Sequence, residues 1–124
     1  MPFLCPECST SKSLRIGARI ELPPDSRSDE IALQIVKCSH CGFAGIAVYE
    51  ESRRGAMGDE SFDHAGFRVS AADVKALRKL IRECPDPRNK RCRCATHRQL
   101  GRKTSGRWDG LSDIDREGRF AMRF

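Results

Sequence analysis

Apolar and polar residues alternate along two stretches near the start of the chain. In residues 14–22 every second residue is apolar, namely Leu14, Ile16, Ala18, Ile20 and Leu22. Residues 30–37 repeat this pattern with Ile31, Leu33 and Ile35. A period of two is that of a β-strand with one buried face, so both stretches are predicted to be strands with their apolar residues on a single face. Residues 23–29, which begin with two prolines, are predicted to be the loop between them.

Three later segments carry patterns that predict a strand, a loop and a further strand. Residues 43–49 are apolar on both faces of an extended chain, which is typical of a strand that is covered on both sides. Residues 50–69 are mostly polar and contain glycine, so they are predicted to be irregular. Near the C-terminus, Phe120, Met122 and Phe124 share one face, which predicts a terminal strand docked on the sheet.

A helix is predicted over residues 71–83. Ser70 and Asp73 resemble a capping box at its start, and Pro85 and Pro87 end it. The helix carries an apolar stripe formed by Val74, Leu77, Leu80 and Ile81. This stripe is predicted to cover the apolar face of the strand at residues 14–22, which would otherwise be exposed to solvent.

Two Cys-x-x-Cys hooks flank the predicted hairpin, with 29 residues between them. Their four cysteines are Cys5, Cys8, Cys38 and Cys41. Four thiolates make a closed tetrahedral shell for a structural zinc ion. They also bind iron, but no aromatic cluster surrounds the hooks, and this favours zinc. Gly42 follows the second hook, where the turn under the sulfur favours a positive φ, and Ser9 holds the equivalent place after the first.

Residues 5–50 resemble a zinc ribbon, in which Cys-Pro-x-Cys is a common first hook. The run from Cys5 through Ile20-Glu21-Leu22-Pro23 to Gly42 is also similar to the ribbons of ZPR-type zinc-finger proteins. That family binds a translation elongation factor. The resemblance covers under half of the chain, and it implies the fold and the metal rather than the partner.

The predicted fold is a small α+β domain. A zinc-ribbon antiparallel sheet is covered by one helix and is followed by a second metal-stapled loop and an irregular C-terminal tail. The sequence divides into a zinc ribbon at residues 1–52, an irregular connecting loop at 53–69, the helix with a Cys/His cluster at 70–98, and a basic tail with the terminal strand at 99–124.

The second cluster has the pattern C-x₇-C-x-C-x₂-H. Its members are Cys84, Cys92, Cys94 and His97. A Cys₃His zinc site here would use the three cysteines that remain after the first site takes four, so that two zinc ions would use all seven. Alternatively, Cys84 is a buried residue at the helix end and the other two are surface thiols.

Positive charge is concentrated in the second half of the chain. The formal net charge is +6, and residues 88–107 hold eight basic residues and no acidic one. Two bound zinc ions with seven thiolates would lower the formal charge to about +3. The basic residues predicted to bind a partner lie on one face of the helix and in the loop after it: Lys75, Arg78, Lys79, Arg82, Arg88, Lys90, Arg91, Arg93 and Arg98.

These cations predict contact with the backbone of nucleic acid, either RNA or DNA. An acidic protein surface is the alternative partner, as in a small subunit of a translation or transcription assembly. A solvated helix face followed by a flexible basic tail would show the same pattern. Tyr49 and Trp108 are the only good candidates for stacking on bases, which disfavours reading of the base sequence.

Other classes of function have weaker support. His64 lies close to several carboxylates in residues 59–64, but a solvated loop explains this cluster better than a catalytic site does. Both predicted metal shells are closed, and the sequence shows neither a nucleophile–base pair nor a phosphate-loop motif, so no enzyme is predicted. Without a signal peptide or an apolar run long enough for a membrane span, the chain is predicted to be cytoplasmic, where cysteines stay reduced.

Overall fold

The computed structural model describes residues 2–53 and 61–124, which form a small α+β fold. The main strands are β1 (Leu14–Leu22), β2 (Glu30–Cys38), β3 (Ala44–Ser52) and β4 (Ser61–Arg68). Helices α1 (Ala71–Glu83) and α2 (Ala95–Leu100) follow. The short strands β5 (Lys103–Thr104), β6 (Arg107–Trp108) and β7 (Gly118–Ala121) complete the order.

Within the described residues, five strands pair antiparallel in the order β1-β2-β3-β4-β7. The terminal strand predicted near Phe120 is therefore present as β7. The prediction of an irregular segment over residues 50–69 is wrong for residues 50–52, which end β3, and for residues 61–68, which form β4 between β3 and β7. Residues 54–60 of that segment lie outside the described part of the chain.

A β-bulge at Gly17 divides β1 into two halves that face opposite ways. Ile16 pairs with Val36, but the next pair joins Ala18 to Ile35, so one extra residue stands on β1. Because successive side chains alternate between the two faces of a sheet, a single extra residue transfers the apolar set to the other face. The prediction that all five apolar residues of this strand share one face is therefore wrong.

Helix α1 covers only the face of the sheet that bears the second half of β1. The Ser70 hydroxyl accepts a hydrogen bond from the Asp73 backbone N–H at 3.1 Å, which caps the first turn. The buried side chains of the helix pack against the apolar residues of three strands. This core contains Val74, Leu77 and Ile81 of α1 with Ile20, Leu22, Leu33, Ile35, Ile46 and Val48 of the sheet.

A second, smaller apolar cluster lies on the opposite face of the sheet. Its buried members are Phe3, Cys5, Leu14, Val36, Cys38 and Ala47. Phe120 from β7 and Met122, which follows the strand, pack against this cluster, so the C-terminal segment covers the sheet as well as extending it. Gly66 on β4 makes room for it, since a Cβ at this position would lie 2.2 Å from the Phe120 ring.

Asp25 joins the loop between β1 and β2 to the C-terminal region. Its carboxylate accepts hydrogen bonds from the backbone N–H groups of Arg27 at 2.8 Å, Ser28 at 2.6 Å and Trp108 at 2.8 Å. Burial alone would raise the pKa of Asp25, but these hydrogen bonds and the charge of Arg107 lower it below its usual value. The carboxylate thus holds the β5–β6 hairpin against the sheet.

None of the helices in residues 2–53 and 61–124 is long and apolar enough to cross a membrane.

Substitution Asp25→Asn tests this link through its pH dependence. The carboxylate side chain is 1% exposed, so we expect its loss to lower the free energy of unfolding at pH 7 by about 1–3 kcal/mol. A folded-state pKa below the unfolded value means that the carboxylate stabilises the fold above the unfolded pKa, near 4, and that this contribution is lost as the pH falls through the folded pKa. Urea unfolding at several pH values should therefore show the difference between the two proteins shrinking below about pH 4. A difference that stays constant down to pH 3 would contradict this.

Candidate metal centres

The first candidate centre lies at the end of the sheet where β2 turns into β3. The sulfurs of Cys5, Cys8, Cys38 and Cys41 all lie within 4.8 Å of one another. Measured separations are 3.7 Å between Cys5 and Cys41 and 3.8 Å between Cys8 and Cys38. Tetrahedral zinc with bonds of about 2.3 Å to sulfur places its ligands about 3.8 Å apart. The four sulfurs therefore fit one tetrahedral ion.

The two hooks have the same backbone geometry. The N–H of Ser9 donates to the carbonyl of Cys5 at 3.0 Å, and the N–H of Gly42 donates to the carbonyl of Cys38 at 3.2 Å. Ser9 has φ of 60° and Gly42 has φ of 81°, so both predicted turn positions adopt the left-handed region. Such turns bring the two sulfurs of each hook to one side of the chain.

Backbone N–H groups also point at the sulfurs. Cys38 Sγ accepts from His40 and from Cys41, both at 3.3 Å, and Cys5 Sγ accepts from Glu7 at 3.4 Å. The hydroxyl oxygen of Ser13 lies 3.3 Å from Cys38 Sγ. Hydrogen bonds of this kind stabilise a thiolate more than a thiol.

The sulfurs of this centre differ in their pKa values. Burial raises the pKa of Cys38, but the side-chain hydrogen bond with Ser13 and those from the backbone N–H groups of Cys41 and His40 bring it down to about 5. The backbone N–H of Phe43 lowers the pKa of Cys41, but loss of solvent and the neighbouring sulfurs raise it to about 12 overall. The protein alone thus favours a thiolate at one position and disfavours it at another, and a bound dication would stabilise all four.

The second candidate centre joins the end of α1, the following loop and the start of α2. Its ligand atoms, from Cys84, Cys92, Cys94 and His97, also lie within 4.8 Å of one another. Cys84 and Cys92 sulfurs are 3.9 Å apart. His97 Nδ1 lies 3.2 Å from Cys84 Sγ and 3.3 Å from Cys94 Sγ, slightly less than the about 3.5 Å between sulfur and nitrogen ligands of a tetrahedral zinc ion. A Cys₃His shell therefore fits here as well.

The ring of His97 is oriented by the backbone of β1. Its Nε2 lies 2.9 Å from the carbonyl oxygen of Glu21, so the N–H at Nε2 donates to this carbonyl and Nδ1 is left free to bind a metal. The N–H of Glu21 in turn donates to the carbonyl of Pro87 at 2.7 Å. Both backbone groups of Glu21 thus contact the second centre, which also covers the end of an edge strand.

Local structure at this centre favours a thiolate at Cys94. Burial raises the pKa of Cys94, but the backbone N–H and the ring of His97 lower it to about 6. That N–H, 3.3 Å from Cys94 Sγ, is also the capping bond of α2. At Cys84, burial raises the pKa to about 11, and the sulfurs of Cys94 and Cys92 add to this rise. As at the first centre, the thiolates need a cation to coexist.

Strand β1 connects the two centres. Its first residue, Leu14, pairs with Cys38 of the first centre, whereas Glu21 near its other end contacts the second. Seven residues of extended chain span about 23 Å. The two centres therefore hold opposite ends of the sheet.

Comparisons with protein-family models, curated proteins and solved structures found no match to this chain. The two cysteine-rich clusters are consistent with zinc-ribbon-like motifs and are able to bind metal ions.

The nine predicted partner-binding cations lie on the surface. All are exposed except Arg78, which is half-buried. Within residues 2–53 and 61–124, none of the nine forms an ion pair. By contrast, Arg102 and Arg107 of the following hairpin pair with Asp113 and Asp25. In the described structure, ion pairs thus engage these two arginines but none of the nine predicted cations.

Three other residues considered in the sequence, His40, His64 and Trp108, also have defined surroundings in the structure. His64 lies half-buried on β4 rather than in a solvated loop, and its Nε2 is 2.7 Å from the Gln34 side-chain oxygen. His40 is exposed and outside the ligand set, as predicted. Trp108 packs against the main core and donates from Nε1 to the Leu100 carbonyl at 2.7 Å, so its role in the described structure is packing. Sequence reasoning missed Glu21, because it acts through its backbone.

We expect elemental analysis and native mass spectrometry of the reduced protein, purified with zinc, to show two ions per chain. His97→Gln should lower this to one, since it removes a ligand of the second centre while the first keeps all four. His40→Gln is the matched control and should retain two, because this imidazole lies outside both clusters. One zinc per unsubstituted chain, with Cys84, Cys92 and Cys94 reactive toward thiol reagents, would contradict the second centre.

Proposed function

We propose that this protein is a zinc-binding, non-enzymatic module that contacts the backbone of nucleic acid through the basic face of α1 and the loop after it. The observation that carries the proposal is the group of exposed cations beside the second centre, which lack acidic partners in the described structure. Lys and Arg side chains neutralise phosphates and release the counterions that surround them. A surface of unpaired cations suits this role.

The distribution of charge supports a polyanionic partner. Residues 84–124 contain 11 basic and 5 acidic residues, whereas residues 1–83 contain 12 of each. Of the acidic residues in the second half, Asp113 pairs with Arg102 and Asp109 accepts a hydrogen bond from Thr104. The second half of the chain thus keeps its positive excess even after thiolates at the second centre are counted.

The composition of the two centres supports a structural role for the metals. Each candidate centre offers four protein ligands, and a zinc ion with four protein ligands has no open position for a substrate or a reactive water. Zinc suits both sets better than harder cations do, since the ligands are sulfur and imidazole nitrogen. Such ions would stabilise the sheet and the basic loop without taking part in a reaction.

Binding to labelled oligonucleotides, measured by fluorescence anisotropy across a range of KCl concentrations, tests this function. We expect the logarithm of the affinity to fall steeply and linearly with the logarithm of the salt concentration. Charge reversal by Arg91→Glu with Arg93→Glu should weaken binding by at least tenfold at about 0.1 M salt, because it replaces attraction to phosphate by repulsion.

The matched control is Arg15→Glu with Lys37→Glu. These two exposed cations pair across β1 and β2 near the first centre, and their reversal changes the net charge by the same amount. If both double variants bind equally well, or if the unsubstituted protein binds no oligonucleotide, the proposal is wrong. Co-purification of a stoichiometric acidic protein without nucleic acid would support the alternative partner.

A further inference from the structure

The loop between Cys84 and Cys94 is held in one shape by backbone and side-chain hydrogen bonds as well as by its cysteines. The N–H of Asn89 donates to the Asp86 carbonyl at 3.1 Å, and the N–H of Cys92 donates to the Asn89 carbonyl at 3.0 Å. The Asn89 side chain accepts from the N–H of Arg91, also at 3.0 Å. The bond from Glu21 to Pro87 then fixes the loop to β1. A loop fixed in this way loses little entropy when it binds a partner.

A cleft of about 450 Å³ separates this loop from the end of the β1–β2 hairpin. One wall carries Arg88, Lys90 and Arg91, and the other carries the carboxylates of Glu21 and Glu30. Each carboxylate already has an arginine partner. Glu21 pairs with Arg19, and Glu30 pairs with Arg53 at 2.9 Å.

The loop cations thus supply the net charge of the cleft. The pKa of Glu30 is lowered mainly by the hydrogen bond from Arg53, with a smaller contribution from the charge of Lys90, which places this ammonium group near the opposite wall. Arg88 and Arg91 are exposed and form no ion pair with any residue that the structure describes. The cleft therefore suits an anionic ligand that lies against the loop.

A smaller cleft of about 240 Å³ borders the second centre, since Cys92 and His97 line it. Arg93 and Arg98 also line this cleft, together with Pro23. Cations from the loop and from α2 therefore lie in two clefts next to the second centre.

We propose that the loop at residues 85–93 is a phosphate-binding loop, and that a phosphodiester backbone lies in the cleft between this loop and the β1–β2 hairpin. The inference rests on the proposed nucleic-acid function and goes further by naming the contacts. Arg88 and Arg91 bind phosphate directly in the cleft through charge-assisted hydrogen bonds. Lys75 and Lys79 on the exposed face of α1 line neither of these two clefts, so their contacts contribute less to binding than those of the loop.

Two neutral double variants with equal changes in net charge test the assignment. Arg88→Gln with Arg91→Gln removes the two cleft arginines, and Lys75→Gln with Lys79→Gln removes two helix lysines. All four side chains are exposed, so neither variant should change the fold, and circular dichroism with zinc content confirms this. Each protein is titrated with labelled single-stranded RNA, single-stranded DNA and duplex DNA at several KCl concentrations.

The loop variant should bind at least tenfold more weakly at about 0.1 M KCl, and its slope of log affinity against log salt should fall by about 1.4 to 1.8, as expected for two lost phosphate contacts. The helix variant should lose about threefold or less, with a smaller change in slope than the loop variant. Comparison of the three oligonucleotides then identifies whether single strands or a duplex supplies the phosphates.

Equal losses in the two variants would overturn the loop assignment and leave the proposed function standing, because binding would then follow net charge alone. Binding of a polyglutamate peptide as tight as that of the oligonucleotides would also overturn it, since the loop would then recognise carboxylates. If the unsubstituted protein binds no oligonucleotide at low salt, the proposed function fails and this inference fails with it.

Discussion

The clustering of four sulfurs within 4.8 Å at one end of a thin sheet is the constraint on which the rest of the structure depends. Thiolates at such distances repel one another, and burial penalises each charge further. A dication removes both penalties and makes the cluster stabilising. The core around it is small, since within residues 2–53 and 61–124 the buried members on that face beside the cysteines are Phe3, Leu14, Val36 and Ala47. A metal bound by all four sulfurs would therefore add a link between the N-terminal hook and the sheet to the backbone hydrogen bonds between Phe3 and Leu14.

The bulge at Gly17 lets one strand serve two cores and two centres. Before the bulge, Leu14 and Ile16 pack beside the first centre, and after it, Ile20 and Leu22 pack under α1. In a strand without the bulge, the apolar residues of β1 would all lie on one face. One of the two apolar clusters would then lose its side chains from β1. The same strand then presents Glu21 to His97 and Pro87, so the second centre depends on the bulge for its alignment with the sheet.

Much of this fold was predictable from local sequence patterns. The predictions that failed did so for physical reasons. The helix and the hooks have short-range signatures, namely capping, period and cysteine spacing, and the structure confirms their bounds and turns. The bulge has no such signature in the sequence, because Gly17 falls at a polar position of an alternating pattern that looks regular. Strand β4 was unpredictable because its exposed Phe62 and polar Asp63 acquire strand character only from pairing with β3 and β7. Glu21 contacts the second centre through its own backbone N–H and carbonyl. Because nearly every residue type has these groups, the identity of the residue does not reveal the contact.

The two candidate centres differ in the residues that surround them. At the first, the nearby cation Arg68 is engaged by Glu7 and lies over the Phe43 ring at 5.3 Å, so its charge is satisfied within the protein. At the second, the shell is built from a loop with little apolar content, and the neighbouring arginines point to solvent without acidic partners in the described structure. The loop packs on the main core mainly through its cysteines, so its shape depends on them, on His97, on its own hydrogen bonds and on the peptide of Glu21. Ordering a cationic loop against its own repulsion costs free energy, and under the proposed function a partner with negative charge would recover that cost on binding.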